Sequence, residues 1–161
     1  MKTTILVDND AQEGLGCEWG FSALIETDGA TILLDSGASG LFAQNAQALG
    51  IDLADVDYCV LSHAHFDHAD GFGDFFAIND HAPLLIQSAC EETCWSDAKG
   101  DMKYIGIQRG LLEQQALRIE RVDGTLQFAP GAWLLGHDTE GLEAIGEREH
   151  LYLKTDDGLV G

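Results

Sequence analysis

Three histidines and two aspartates fall between His63 and Asp70, in the stretch LSHAHFDHADG that follows a short apolar run. His63 and His65 are two apart, so on an extended segment their side chains point the same way. Two imidazoles on one side can chelate a single zinc ion at about 2.0–2.1 Å per bond. Asp67 and His68 come next, where the chain must turn, and they offer a carboxylate oxygen and an imidazole nitrogen to a second cation. Division into two pairs suits a two-metal centre with ions about 3.5–4 Å apart. Burying so many polar groups without a strong partner would be costly, so metal binding is expected here rather than a solvated loop.

The elements that must position this cluster are partly legible. Thr3–Val7 is rich in β-formers and reads as a first strand. In FSALIETDGATILLDSG two apolar runs flank Asp28-Gly29, which predicts a hairpin with a tight turn using positive φ angles. Leu41–Leu49 carries Phe42, Ala46 and Leu49 at helical spacing, with Gly50 where a C-terminal cap would stand. Tyr58–Leu61 reads as a buried strand delivering the cluster at its end, a common address for sites in α/β proteins. GFGDFFAI is expected to begin a helix and APLLIQS to form another strand. Strands alternating with helices predict a layered α/β domain. KYIGIQRGLLEQQAL fits either a strand followed by a helix or a lid-like loop, and residues 90–121 are expected to form a variable, lid-like region. ERVDGTLQFAPGAWLLG predicts short β segments with turns at Asp123-Gly124 and Pro130-Gly131.

The H-x-H-x-D-H pattern of His63, His65, Asp67 and His68 resembles the signature of the metallo-β-lactamase superfamily. The hairpin leading to Asp35-Ser36-Gly37 is similar to that family's opening hairpin, and LGIDLADVDYCVLSHAHFDHADGF follows in the family's order. The resemblance is strong over about residues 3–88, and its character is close to the dihydropterin-synthase-like branch. It implies an αββα sandwich, of which this chain would carry the first sheet and its flanking helices. The implied activity is hydrolysis of an ester, amide or phosphoester in a small molecule by a zinc-bound hydroxide. The resemblance assigns His63 and His65 to the first metal and Asp67 and His68 to the second. Asp67 would also orient the attacking water or carry its proton, and Asp35 would hold the ligand loop through hydrogen bonds. Read without the resemblance, Asp35 is equally well a turn residue at the end of the hairpin.

One departure stands out. Families of this type complete the first site with a further histidine and bridge the metals with a further aspartate, both from later in the chain. The available groups are His81, His137 and His150, with Asp138. His137, in LLGHDTEG, is the best placed, with ligand, substrate-contact and surface roles all open; the alternative is a histidine beyond residue 161. His81 and His150 are expected to be solvated or structural. Imidazole and carboxylate suit Zn, Fe and Mn alike, with zinc the expected metal. The rival functions are a non-catalytic metal-binding fragment and, less favoured, a di-iron oxidoreductase, which typically has a glutamate where this chain has His65.

Composition narrows the partners. Eight Lys and Arg against 28 Asp and Glu give a formal charge of −20 over 161 residues. A nonspecific grip on phosphate backbones or on an anionic membrane needs the opposite sign, so nucleic acid and membrane are both excluded as expected partners. Five of the eight basic residues lie in Lys99–Arg121, where Arg109 or Lys103 is available to an anionic group on a substrate. The start, MKTTILVDND, is too short and too quickly acidic for a signal peptide, and no apolar run approaches a membrane span, which favours the cytoplasm. Cys17, Cys59, Cys90 and Cys94 are then expected as thiols. The length suggests one domain over 1–161 or the N-terminal part of a longer one. The hairpin near Asp156-Asp157-Gly158 ends in a strand without its neighbour. A second copy of the chain or a C-terminal part is expected to cover it.

Overall fold

Period-two alternation along three central strands divides the interior into two layers. In Leu84–Gln87 (β5), Leu84 and Ile86 face one core and Leu85 the other. Leu33 against Ile32 in Thr31–Leu34 (β3), and Cys59 against Val60 in Tyr58–Val60 (β4), divide in the same way. Strands buried on both faces read as continuous apolar runs, as these do. The computed structural model describes residues 1–97, 100–135, 153–155 and 158–160.

The main sheet has six strands. Lys2–Val7 (β1), Ser22–Glu26 (β2) and β3 are antiparallel neighbours. β3, β4, β5 and Ile119–Val122 (β8) then run parallel. Two short ribbons stand apart from the sheet and interrupt the strand count. Trp95–Ser96 (β6) pairs with Lys103–Tyr104 (β7), and Leu126–Ala129 (β9) pairs with Ala132–Leu134 (β10). Leu153–Thr155 (β11) and Gly158–Val160 (β12) form an antiparallel pair of their own.

The helices cover one face. Leu41–Ala48 (α1) contributes Phe42 and Ala46, and Phe72–Ile78 (α3) contributes Phe72 and Phe75, all fully buried. Burying each phenylalanine is worth about 1.5–3 kcal/mol. The expected glycine cap is present: Gly50 takes φ 71°, its N–H donates to Gln47 O, and Ile51 N–H donates to Ala46 O. On the opposite face the β9–β10 ribbon supplies Ala129 and Ala132 to the layer with Ile32, Val60, Leu85 and Val122. Within 90–121, the KYIGIQRGLLEQQAL stretch forms β7 and then the single turn Leu111–Gln114 (α4). Asp123-Gly124 and Pro130-Gly131 are turns, with Gly124 and Gly131 at φ 79° and 76°.

The hairpin at Asp28-Gly29 forms, but not with the positive φ angles expected of it. Asp35 is the only non-glycine with positive φ among the described residues, and Gly29 is not among the positive-φ glycines. Thr27 closes the turn instead. Its N–H donates to Ala30 O at 2.9 Å, and its hydroxyl oxygen accepts from Gly29 N–H at 3.2 Å and Ala30 N–H at 3.0 Å. A side-chain hydroxyl thus does what the glycine conformation was expected to do.

Gly71 lies where the histidine loop passes close to the backbone after β3. Its φ of −68° suits any residue, so the constraint is space. A Cβ there would run into the carbonyl oxygens of Ser36 and Ser39 and stand 3.0 Å from Phe42 Cε1. Backbone oxygens at the end of β3 cannot yield as a flexible side chain can. Gly71→Ala is expected to destabilise the fold by about 3 kcal/mol or more, lowering the thermal midpoint by roughly 10 °C. A melt within about 2 °C of the parent would show that the two segments separate easily.

Candidate metal centre

β4 ends at Val60, the chain bends at Ser62, and His65 is extended at φ −76° and ψ 145° before the turn into Phe66–Ala69 (α2). The rings of His63 and His65 lie against each other, with centroids 4.6 Å apart. The turn brings His68 back, its ring centroid 4.1 Å from that of His63. Asp67 lies in the first turn of α2, with Oδ2 4.0 Å from His68 Nε2. The contacts are pairwise: His65 and His68 each lie against His63, and Asp67 lies beside His68. Among the described residues, no group of three or more His, Cys, Asp or Glu side chains is placed so that together they could hold a metal ion.

Asp35 organises the cluster from beneath. It is 2% exposed and takes φ 55° at the end of β3, a left-handed conformation that Asp tolerates better than most residues. Its Oδ1 accepts from Ser62 N–H at 2.7 Å, and its Oδ2 accepts from Ser62 Oγ–H at 2.6 Å. The same Oδ2 lies 2.8 Å from His68 Nδ1, which donates to it. The sequence left Asp35 open between a loop-holding role and a turn residue; the geometry shows it holding the loop.

These bonds fix tautomers. The single proton of Ser62 Oγ is committed to Asp35, so at 2.9 Å Ser62 Oγ can only accept from His63 Nδ1–H. The Nε2 lone pair of His63 is thereby left open. His68 donates from Nδ1, which in the neutral ring leaves its Nε2 open on the side of Asp67. Ser62 was not singled out from the sequence, although a hydroxyl directly before the first histidine is the signal that would have found it.

Electrostatics separate the two rings. Burial is the main reason that His63 drops to a pKa of about 4, helped by the neighbouring His68 and His65 and opposed by Asp35. His68 is also pulled down by burial, but the hydrogen bond and charge of Asp35, with the charge of Asp67, outweigh it and leave His68 above its ordinary value. Burial also raises the Asp70 carboxyl, against the Gln108 N–H that bonds it.

Main-chain bonds lock the loop from both sides. Ser36 N–H donates to His68 O at 2.8 Å, and Phe21 N–H donates to Asp67 O at 3.1 Å. On the far side, Ile107 N–H donates to Ala64 O at 2.7 Å, Phe66 N–H donates to Ile105 O at 2.9 Å, and His65 bridges Gly106. His81 does not join the cluster. It precedes β5, at the opposite end of the parallel strands, and its side chain is 56% exposed. His137, Asp138 and His150 lie outside the described residues.

The fold and the cluster together define an α/β protein that carries imidazole and carboxylate donors on the loop leaving a central parallel strand. The sequence profile of the metallo-beta-lactamase superfamily matches residues 16–153, and the chain belongs to that superfamily. An uncharacterized protein of Methanocaldococcus jannaschii is 35% identical over 111 residues, covering 68% of this chain and 41% of the relative. The anti-Pycsar protein Apyc1 of Saccharibacillus brassicae is 29% identical over 115 residues, covering 68% of this chain and 46% of the relative. The chain thus spans less than half the length of these relatives. Among solved structures, Tm1679, described as a metal-dependent hydrolase of the β-lactamase superfamily, superposes with a TM-score of 0.67 at 24% identity. That match covers 86% of this chain and 49% of the other, and it shows the shared fold. The αββα expectation stands to that extent: this chain presents a mixed sheet with helices on one face.

Proposed function

We propose that the protein is a metal-dependent hydrolase of small molecules, with His63 and His65 holding one divalent cation and Asp67 and His68 a second. The observation that supports this most is the chain of bonds from His63 through Ser62 and Asp35 to His68, which turns two imidazole Nε2 lone pairs outward in fixed orientation. Imidazoles held in one tautomer by a carboxylate are a ligand arrangement suited to zinc, with iron and manganese within reach of the same donors. A bound divalent cation would supply an activated water near neutral pH and polarise the scissile C=O or P=O group. Asp67, with Oδ2 4.0 Å from His68 Nε2, is the carboxylate that would orient such a water and accept its proton. Asp35 takes no part in proton transfer; its oxygens are occupied by Ser62 and His68. The burial of His63 keeps that ring neutral and ready to donate a lone pair.

The substrate class in this reading is an ester, amide or phosphoester, and the setting is the cytoplasm, to which the free thiols of Cys17 and Cys59 are suited. Among the described residues no helix is long and apolar enough to cross a membrane. Zinc-loaded protein is expected to hydrolyse a chromogenic ester or phosphodiester, with activity lost on chelation and regained on adding metal. Turnover unaffected by chelator would refute the reading. A second reading, a metal-binding fragment without turnover, draws on the coverage of less than half of each relative. Stoichiometric zinc without hydrolysis of either substrate would favour it.

A further inference from the structure

The loop that pairs with the histidine segment carries a second, differently built feature. Trp95 and Tyr104 are register partners across the β6–β7 ribbon, and their rings meet edge to face at 5.4 Å. The guanidinium carbon of Arg109 lies 4.4 Å from the Tyr104 ring centroid and 5.2 Å from that of Trp95. Tyr104 donates its hydroxyl proton to Ile107 O at 2.6 Å, which pins the ring against Gly106. Gly106 in turn bridges His65. These contacts limit the distance from the guanidinium to the His65 backbone to about 15 Å, within the length of a medium-sized metabolite.

Carboxylates sit beside Arg109 without pairing with it. Asp70 accepts from Gln108 N–H at 2.6 Å, and Glu92 accepts from Gly110 N–H at 2.8 Å. Both acids therefore clamp the backbone on either side of residue 109. Arg118 and Arg121 are engaged by main-chain carbonyls, those of Asn79 and Ala82 and of Ser88 and Cys90. Among the described residues no carboxylate or carbonyl bonds the Arg109 guanidinium, which is exposed in a chain of net charge −20. Stacking occupies the flat faces of a guanidinium and leaves its N–H edge free, and it removes rotamer freedom before any ligand arrives. Trp95, 48% exposed, offers a flat apolar surface beside that edge.

We propose that Arg109, held across the Trp95 and Tyr104 rings, is the anion-binding arm of the histidine site, and that the ligand carries a phosphate or carboxylate on a flat or apolar carrier. Calling that ligand the substrate rests on the hydrolase reading above; the binding itself does not. The test is a titration of the metal-free, isotope-labelled protein with phenyl phosphate, benzoate and phenol, followed by NMR. Phenyl phosphate or benzoate is expected to shift the Trp95 indole and the His65 ring resonances, the tighter of the two naming the anion, while phenol shifts neither. Arg109→Met is expected to weaken binding at least about tenfold, the loss of a charge-assisted pair, and Arg109→Lys to restore most of it. Wild-type affinity in Arg109→Met, equal binding of phenol, or a Trp95 shift without one at His65 would overturn the proposal. Because the measurement uses no metal, its failure is separate from a failure of zinc to bind.

Discussion

Alanine at both His63 and His65 is expected to remove tight zinc binding, lowering affinity by more than about 100-fold, while the fold survives. The two imidazoles are both of the donors proposed for the first cation, so their loss leaves that site without a protein ligand among the described residues. The fold should survive because the loop is held by its main chain. The bonds of Ala64 and Phe66 to Ile107 and Ile105, and those of Asp67 and His68 to Phe21 and Ser36, involve no imidazole. The variant also relieves the crowding of three rings, with centroids 4.1 and 4.6 Å from that of His63. Stability of the metal-free protein should therefore change by less than about 2 kcal/mol. Equilibrium dialysis with elemental analysis, beside a thermal melt, checks both halves. Full zinc occupancy in the double variant would refute the assignment.

Asp35→Asn should separate the positioning of the ligands from the ligands themselves. Asparagine tolerates φ 55° and has nearly the same shape, so the backbone at the end of β3 is undisturbed. Its amide nitrogen, however, is a donor where Oδ2 accepted from Ser62 and His68. His68 can satisfy the amide only by accepting at Nδ1, which moves its own proton to Nε2, the nitrogen needed for a cation. Zinc affinity is expected to fall about 10–100-fold and stability by about 1–3 kcal/mol. Asp35→Ala adds the strain of alanine at positive φ, about 1 kcal/mol more. Competition with a chromophoric chelator reads the affinity. Wild-type affinity in Asp35→Asn would show that the bond to His68 does not set its tautomer.

The local half of this architecture was readable from the residues, and the nonlocal half was not. Tyr58–Val60 and Leu84–Gln87 announced themselves as apolar runs because strands covered on both faces have no polar side to show. The cluster at His63–His68 was readable because its geometry is local: two residues apart on an extended chain, then a turn. Asp28-Gly29 marked the hairpin correctly, yet Thr27 closes it, since a hydroxyl that bonds the turn N–H groups removes the need for a left-handed glycine. The pairing of Ala64–Phe66 with Ile105–Ile107 had no signal, as the two segments lie some forty residues apart. Ser62 escaped notice because a serine beside a histidine is common, and only Asp35 beneath both makes it part of the site.

The account depends on the imidazoles of His63 and His65 meeting at one cation, with that of His68 at a second, and the zinc K-edge absorption spectrum of the loaded protein tests this most directly. The expected spectrum has a first shell of nitrogen and oxygen at about 2.0–2.1 Å, with outer-shell scattering from two or more imidazole rings. A sulfur shell at about 2.3 Å, or a shell of light atoms without imidazole scattering, would contradict it.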